Sequence, residues 1–318
     1  MGDDNNVIRF DGQVAVVSGA GGGLGAAYAK DLARRGACVV VNDLAARSAG
    51  EPNPADVVAE EIRASGGRAV AANFSCAVRA GGDAIIDCAV KNFGRVDVLV
   101  HNAGFLRNGP FEQLSETAIR EIIDVHLMGC YFLGQPAFRL MKQQQYGRIV
   151  LISSSAGMYG SLWQSNYGAA KAGVVGLMNN LAREGAKHGV RTNCVLPSAF
   201  TRLGREANEF PPDFHDQAPE GWEALFDPEI SLGYVVPMVT YLASRECQVN
   251  QQAYAATGGR FSRVFTAISE GWVSDYRKNA TAEEIASHIQ QIDRTEKFIV
   301  PKVMQEEFAD VIRARNAL

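Results

Sequence analysis

Long hydrophobic runs are missing from this 318-residue chain. No stretch reaches the roughly 18 apolar residues of a spanning helix, so no membrane span is expected. Positive charge is also short, with 31 Lys and Arg against 35 Asp and Glu and a net charge of -4. Nucleic acid is therefore not an expected partner, because it would need a basic face. The six cysteines, Cys38, Cys76, Cys88, Cys130, Cys194 and Cys247, form no CxxC pair and no compact disulfide framework, which fits a reducing compartment. Histidines at 101, 126, 188, 215 and 288 make no HExxH and no tight ligand cluster, so no metal is expected. MGDDNNVIRF is too acidic and polar for a signal peptide, and RNAL is not an SKL-type address; the expected location is cytoplasmic. What remains, 47% hydrophobic and 21% charged residues, is an ordinary balance for a chain long enough to bury a full core.

Short apolar runs alternate with helical spacing. VAVVS (14–18), CVVVN (38–42), AVAANF (69–74), VDVLVH (96–101), RIVLIS (148–153) and VRTNCV (190–195) read as strands, with AYAATGG (253–259) as a later one. Several are apolar throughout, as parallel strands covered on both faces should be. Leu24, Tyr28 and Leu32 share one face of a helix that stops at Gly36, and Val174, Leu177, Met178 and Leu181 do the same later. This alternation predicts an α/β fold with a doubly wound, Rossmann-like parallel sheet and ligands at the carboxyl ends of its strands. Residues 1–270 are expected to form one catalytic domain. Within it, prolines 211, 212, 219 and 228 mark an irregular substrate lid over about 198–232. Residues 271–318 are expected to be a helical extension packed on the main body or on a partner subunit. There TAEEIASHIQQIDR opens with a capping box from Thr281 to Glu284. LAARSAGEPNPAD (44–56) is a longer connection than the others.

The first strand runs into SGAGGGLG, and a helix opens near Leu24. Gly19, Gly23 and Gly25 free the backbone for a sharp turn and for the close approach of a pyrophosphate, which the helix N-terminus would bind. The spacing is GxxxGxG and the motif lacks the GK[ST] of nucleotide hydrolases. A glycine turn can be merely structural; its place between first strand and first helix favours a dinucleotide. Asp43, 18 residues past Gly25, ends the second strand. Its carboxylate can accept from both ribose hydroxyls and would repel a 2′-phosphate, which favours NAD(H) over NADP(H). In NAG (102–104), Asn102 serves either as a tie between loops or as a cofactor contact, and Gly104 permits close approach.

Tyr167 and Lys171, in YGAAK, stand one helical turn apart. Moving a hydride to or from a carbonyl carbon requires a proton at the oxygen. A free tyrosine, with a pKa of about 10, is a poor base. A lysine on the same face favours the phenolate and is expected to bring that pKa down, and Lys171 can also hold the nicotinamide ribose. Ser154, 13 residues before Tyr167, can bind the substrate oxygen. Ser153 and Ser155 are expected to satisfy backbone groups or to point elsewhere.

SGAGGGLG, NAG, ISS, YGAAK and the proline turn LPSAFTR together resemble the short-chain dehydrogenase/reductase family over roughly residues 10–260. The resemblance implies catalysis by Ser154, Tyr167 and Lys171. It implies cofactor contacts from Gly19, Gly23, Leu24, Gly25, Asp43, Asn102 and Gly104, with Tyr167 and Lys171 beside them. VVVNDL with its long insert, DVHLMGCYFL and NYGAAKAG are similar to one branch of that family, the (3R)-hydroxyacyl-CoA dehydrogenase part of peroxisomal multifunctional enzymes, also described as 17β-hydroxysteroid dehydrogenases. By the same resemblance, the helix continuing from YGAAK through GVVGLMNNLA implies a homodimer or homotetramer. Departures are His126 for the family's usual asparagine, Ser75 for a frequent aspartate near the adenine, and Ser198 for the glycine of a PG turn. His126 reads either as a structural histidine or as a new acid or base.

The substrate is expected to be an alcohol or ketone. The resemblance implies a hydroxyacyl-CoA, yet 206–229 holds eight acids, Glu206, Glu209, Asp213, Asp216, Glu220, Glu223, Asp227 and Glu229, and no lysine or arginine. Such a segment should not attract CoA phosphates, although Arg202 and Arg205 precede it. Phe200, Phe210, Phe214, Trp222, Leu225 and Phe226 suit an acyl chain or a steroid-like ring instead. A chain that binds NAD(H) without turnover, as sensor or scaffold, is the alternative of another class.

Overall fold

The computed structural model describes residues 7–44, 50–199, 211, 220, 232–275 and 277–316. Most of the expected lid, with Arg202, Arg205, the acidic run apart from Glu220, and the aromatic residues assigned to an inner face, lies outside the described residues. So does part of the 44–56 connection. The chain divides into two compact units, Met1–Arg263 and Val264–Leu318.

The first unit is built on β1 (Val14–Ser18), β2 (Cys38–Asn42), β3 (Arg68–Ala72), β4 (Val98–His101), β5 (Gly147–Ile152), β6 (Val190–Ser198) and β7 (Ala253–Thr257). These run parallel, and β8 (Arg260–Val264) adds an eighth strand at the β7 edge, giving the order β3-β2-β1-β4-β5-β6-β7-β8. Every residue of β1, β2, β4 and β5 is buried, which is why those runs are so apolar. β6 continues past Val195 through Pro197 and Ser198, paired with Ala256 and Thr257, so the first residue assigned to the lid is the end of a strand. The fold is the expected doubly wound, Rossmann-like α/β fold.

The helices are α1 (Gly23–Arg34), α2 (Pro54–Ala64), α3 (Arg79–Phe93), α4 (Glu116–Ile123), α5 (Gly129–Gln144), α6 (Ala156–Tyr159), α7 (Ser165–Ala186) and α8 (Val236–Ala243). On one face of the sheet, Tyr28 and Leu32 of α1, Val58 and Ile62 of α2 and Val239 and Leu242 of α8 pack against Val17, Val39, Val100 and Val150. On the other face α3 meets α5, and α7 packs on α4 and β6. A π-helical turn, Asp124–Met128, joins α4 to α5. Such a turn re-aims the side chain it carries, here the buried His126.

The chain leaves β1 toward β2 on one side, whereas β4 lies on the other. The loops after β1 and β4 therefore part, and the crevice between them is where a sheet of this kind binds ligands.

In the second unit β9 (Ile268–Ser269) pairs antiparallel with β10 (Phe298–Ile299). α9 (Ala282–Ile292) has the expected capping box: Thr281 accepts from the Glu284 amide and Glu284 accepts from the Thr281 amide. Trp272 stacks on His288 with ring centroids 4.0 Å apart, and α10 (Met304–Asn316) follows. No described helix is long and apolar enough to cross a membrane.

Candidate active site

At the β1 end of the crevice the turn is shaped by contact. Gly19 has φ +63°, and a Cβ there would stand 2.6 Å from Ala103 Cα. Asn102 crosses the same gap: its Nδ2 donates to the carbonyls of Ser18 at 3.3 Å and Gly19 at 3.1 Å. Asn102 is thus a tie between the two loops. The N-cap of α1, Gly22, offers no side chain to the helix amides, so the positive end of α1 opens onto the crevice beside Gly23 and the half-buried Leu24. Asp43 closes the turn from β2, accepting from the Gly21 amide at 3.0 Å. An uncapped helix N-terminus and a carboxylate at the neighbouring strand end are the chemistry a dinucleotide's diphosphate and ribose require, so the residues present fit that group.

At the β5 end, Ser154, Tyr167 and Lys171 come together. Ser154 neighbours the Tyr167 hydroxyl closely enough to act on its pKa, and Lys171 Nζ lies 5.5 Å from the Tyr167 ring centroid. Lys171 is buried and donates from Nζ to the Ile152 carbonyl at 2.6 Å. Ser153 turns away from the crevice, as expected, and donates to the Lys171 carbonyl. Burial holds the Lys171 ammonium down to about 8, slightly opposed by Cys130 and Cys194. The tyrosine departs from the sequence expectation: burial pushes its hydroxyl up, the neighbouring Ser154 opposes this, and Lys171 is not what sets it. Desolvation of a phenolate outweighs an ammonium that is itself desolvated and pointed at a carbonyl.

Between the two ends sits His126, edge to face with Tyr167 at 5.1 Å and 90°. A Cβ on Gly104 would overlap its Cε1, so the space beside Gly104 is filled by this imidazole. The histidine pKa is well below its usual value, through burial first and the Lys171 charge second. The Ser75 hydroxyl accepts from the Ala77 amide. Among the described residues no group of three or more His, Cys, Asp or Glu could hold a metal.

Residues 13–210 match the family model described as short chain dehydrogenase. The chain belongs to the short-chain dehydrogenase/reductase family. Members of this family are nicotinamide-dinucleotide oxidoreductases, and this chain is one of its enzymes. It is 40% identical over 276 residues to the peroxisomal multifunctional enzyme type 2 of Drosophila melanogaster, an alignment covering 86% of this chain and 43% of that protein. It is 39% identical to a short-chain type dehydrogenase/reductase of Mycobacterium tuberculosis, covering 88% of this chain and 93% of the relative. The solved structure of the full-length Drosophila enzyme superposes with a TM-score of 0.78 at 32% identity, over 98% of this chain and 51% of that one. The chain thus spans only part of its multifunctional relatives, from 38% of the mouse protein to 66% of that of Dictyostelium discoideum.

Four partners in this short-chain dehydrogenase/reductase site escaped the sequence reading. Ser18 accepts from the amides of Asn102 and Ala103, at 3.1 and 3.2 Å. His101 accepts the Ser18 hydroxyl at Nδ1 and donates from Nε2 to the Val125 carbonyl. Gly21 holds Asp43. Asn166 donates to the Arg107 carbonyl while accepting from the Tyr167 amide. The serine beginning SGAGGGLG and the asparagine before YGAAK were the available signals.

Proposed function

We propose that this chain is an NAD(H)-dependent oxidoreductase that interconverts a secondary alcohol and a ketone, with a (3R)-hydroxyacyl-CoA as substrate. The observation that carries it is Tyr167 lying beside buried Lys171, whose Nζ is 5.5 Å from the tyrosine ring, with Ser154 next to the tyrosine hydroxyl at the carboxyl end of β5. A bound nicotinamide supplies or takes up the hydride. Tyr167 exchanges the proton at the substrate oxygen, and Ser154 donates a hydrogen bond to that oxygen. Lys171 stabilises the phenolate left when Tyr167 gives up its proton, and holds the nicotinamide ribose. Gly19, Gly23, Leu24, Gly25 and Asn102 carry the rest of the cofactor, whereas Gly104 has the His126 imidazole against it. Asp43 selects NAD(H), since a 2′-phosphate would meet a carboxylate already anchored to Gly21.

The substrate class is supported by the likeness to the multifunctional enzymes and to the peroxisomal hydratase-dehydrogenase-epimerase of Saccharomyces cerevisiae, of which this chain covers a part. A bulky apolar alcohol such as a hydroxysteroid is the second reading, favoured by the eight acids and absence of lysine and arginine over 206–229. A homodimer or homotetramer is supported by the groove of about 1080 Å³ between α5 and α7, lined by Tyr131, Gly134, Phe138, Gly173 and Leu177 among others. Several relatives carry peroxisomal names, so the location is either cytoplasmic or peroxisomal, and a fluorescent fusion in cells decides between them.

The test offers NAD+ and NADP+ with (3R)-hydroxyacyl-CoA thioesters and 17β-hydroxysteroids and follows absorbance of the reduced nicotinamide. Thioester turnover with NAD+, lost in Tyr167→Phe, is expected. Turnover on ring alcohols alone overturns the substrate. Tight NAD+ binding without turnover on any alcohol favours a sensor or scaffold.

A further inference from the structure

We propose that His126 is a positioning residue that fixes Tyr167 against the 102–110 loop, and that residue 104 is glycine in order to admit its imidazole. The inference rests on the reading of Tyr167 as the acid/base.

The geometry is a wedge. The His126 ring is 1% exposed. Its Nε2 lies 2.8 Å from the Phe105 carbonyl oxygen and 3.2 Å from the Phe105 amide nitrogen. A carbonyl cannot donate, so the shorter contact requires the proton on Nε2, and Nδ1 is then a bare acceptor. On one side the ring stands edge to face against Tyr167, and on the other the Phe105 ring lies 6.2 Å away with Arg107 stacked over it at 4.6 Å. At Gly104 a side chain would meet Cε1, Nδ1 and Nε2 of the imidazole together. The π-helical turn is what delivers the side chain here from the α4–α5 helix.

Proton transfer is not its role. The groups facing it are Lys171 and Tyr167 of α7, His101 of β4 and Cys130 of α5, whose thiol donates to the His126 carbonyl at 3.1 Å. No carboxylate is among them to support an imidazolium, and burial with Lys171 keeps the ring neutral. It works by shape and by one hydrogen bond, joining the loop to the tyrosine. Gly104 then has a second reason to be glycine, and the two reasons predict different kinetics.

The test is a double-mutant cycle on the full chain with NAD+ and whichever alcohol it turns over. His126→Ala and Gly104→Ala should each lower kcat by about tenfold to a hundredfold, as small misplacements of a reacting group do. The KM for NAD+ should hold within about twofold in both, a split that follows from misplaced chemistry with intact cofactor binding. In the double variant the added methyl occupies the vacated space, so its loss should not exceed that of the worse single variant. The pH profile of kcat should shift in His126→Ala, because the surroundings of Tyr167 change. Additive losses, or a Gly104→Ala defect confined to the KM for NAD+, overturn the proposal. Should the variants fail to fold, nitrogen NMR of the histidines in the wild-type chain replaces them. A neutral His126 protonated at Nε2 from pH 5 to 8, with a signal that moves in Tyr167→Phe, is expected; a charged one overturns the proposal. If Tyr167→Phe keeps its turnover, the acid/base reading itself has failed, which the cycle alone would not produce.

Discussion

Ser153 and Lys171 are joined across the β5–α7 connection by one hydrogen bond, from Ser153 Oγ to the Lys171 carbonyl at 2.8 Å. The preceding residue, Ile152, accepts from Nζ of the same lysine. Two successive residues at the end of β5 thus hold both the backbone and the side-chain tip of Lys171. Ser153→Ala removes the first hold from a fully buried place and should cost about 1 kcal/mol in urea unfolding. Because α7 also carries Tyr167, kcat should fall with it. A variant with unchanged stability and unchanged kcat would show that this bond positions nothing.

Lys171 makes stability depend on pH in a definite direction. Its ammonium is held down to about 8 in the fold, against about 10.4 in an unfolded chain. Between those values the unfolded state binds more protons, so stability rises with pH across the window. Below about 8 the folded protein carries the whole cost, on the order of 3 kcal/mol. Lys171→Met should therefore gain on the wild type near pH 7 and lose that advantage by about pH 10, read from paired denaturation curves. A constant difference between the two curves would mean that the lysine is not desolvated in solution.

His101 works at the acid end. It is buried, donates to the Val125 carbonyl, accepts from Ser18, and burial lowers its pKa to about 4. The unfolded histidine takes up its proton near 6.5, so stability is present above that value and is lost as pH falls toward 4. His126, shifted the same way, adds to this loss. His101→Gln should flatten the fall in stability between pH 6.5 and 4. An equally steep fall in the variant would assign the acid sensitivity elsewhere.

The sheet was legible because its inner strands are buried on both faces: β1 and β2 begin and end where VAVVS and CVVVN do. The capping box at Thr281 was legible for a similar reason, since its partners are three residues apart. β8, RFSRV, was not, because it is largely exposed and polar and carries little hydrophobic signal. The convergence of Ser154, Tyr167 and Lys171 could be read from spacing within one strand–helix unit. The fit of His126 beside Gly104 could not, since it depends on a π-helical turn that no periodicity announces. For Tyr167 the nearby lysine was visible in the sequence and the burial was not, and burial decided the direction.

Trp163 holds φ at +61°, a left-handed conformation rare for so large a residue, and its carbonyl accepts from the Gly109 amide at 2.9 Å. The bond fastens the loop before α7 to the loop after β4. Replacing Trp163 by alanine and by glycine removes the indole equally, but only glycine takes this conformation without cost. Trp163→Gly should be more stable than Trp163→Ala by about 1 kcal/mol in chemical denaturation. Equal stability would mean that the backbone there is under no strain.

The bonds from Asn102 and Ala103 to Ser18 span 84 and 85 residues of sequence. During synthesis the glycine turn is therefore made long before its opposite wall exists. A nascent chain that has completed β1, α1 and β2 has the helix end and Asp43 but nothing across from them, until β4 leaves the ribosome and pairs with β1. Contacts so distant in sequence form slowly, because the intervening loop must be closed first. Dinucleotide capture is in this way deferred to a late stage of the chain's birth, and cofactor added to a translating ribosome should protect the N-terminal third from protease only after that strand has emerged.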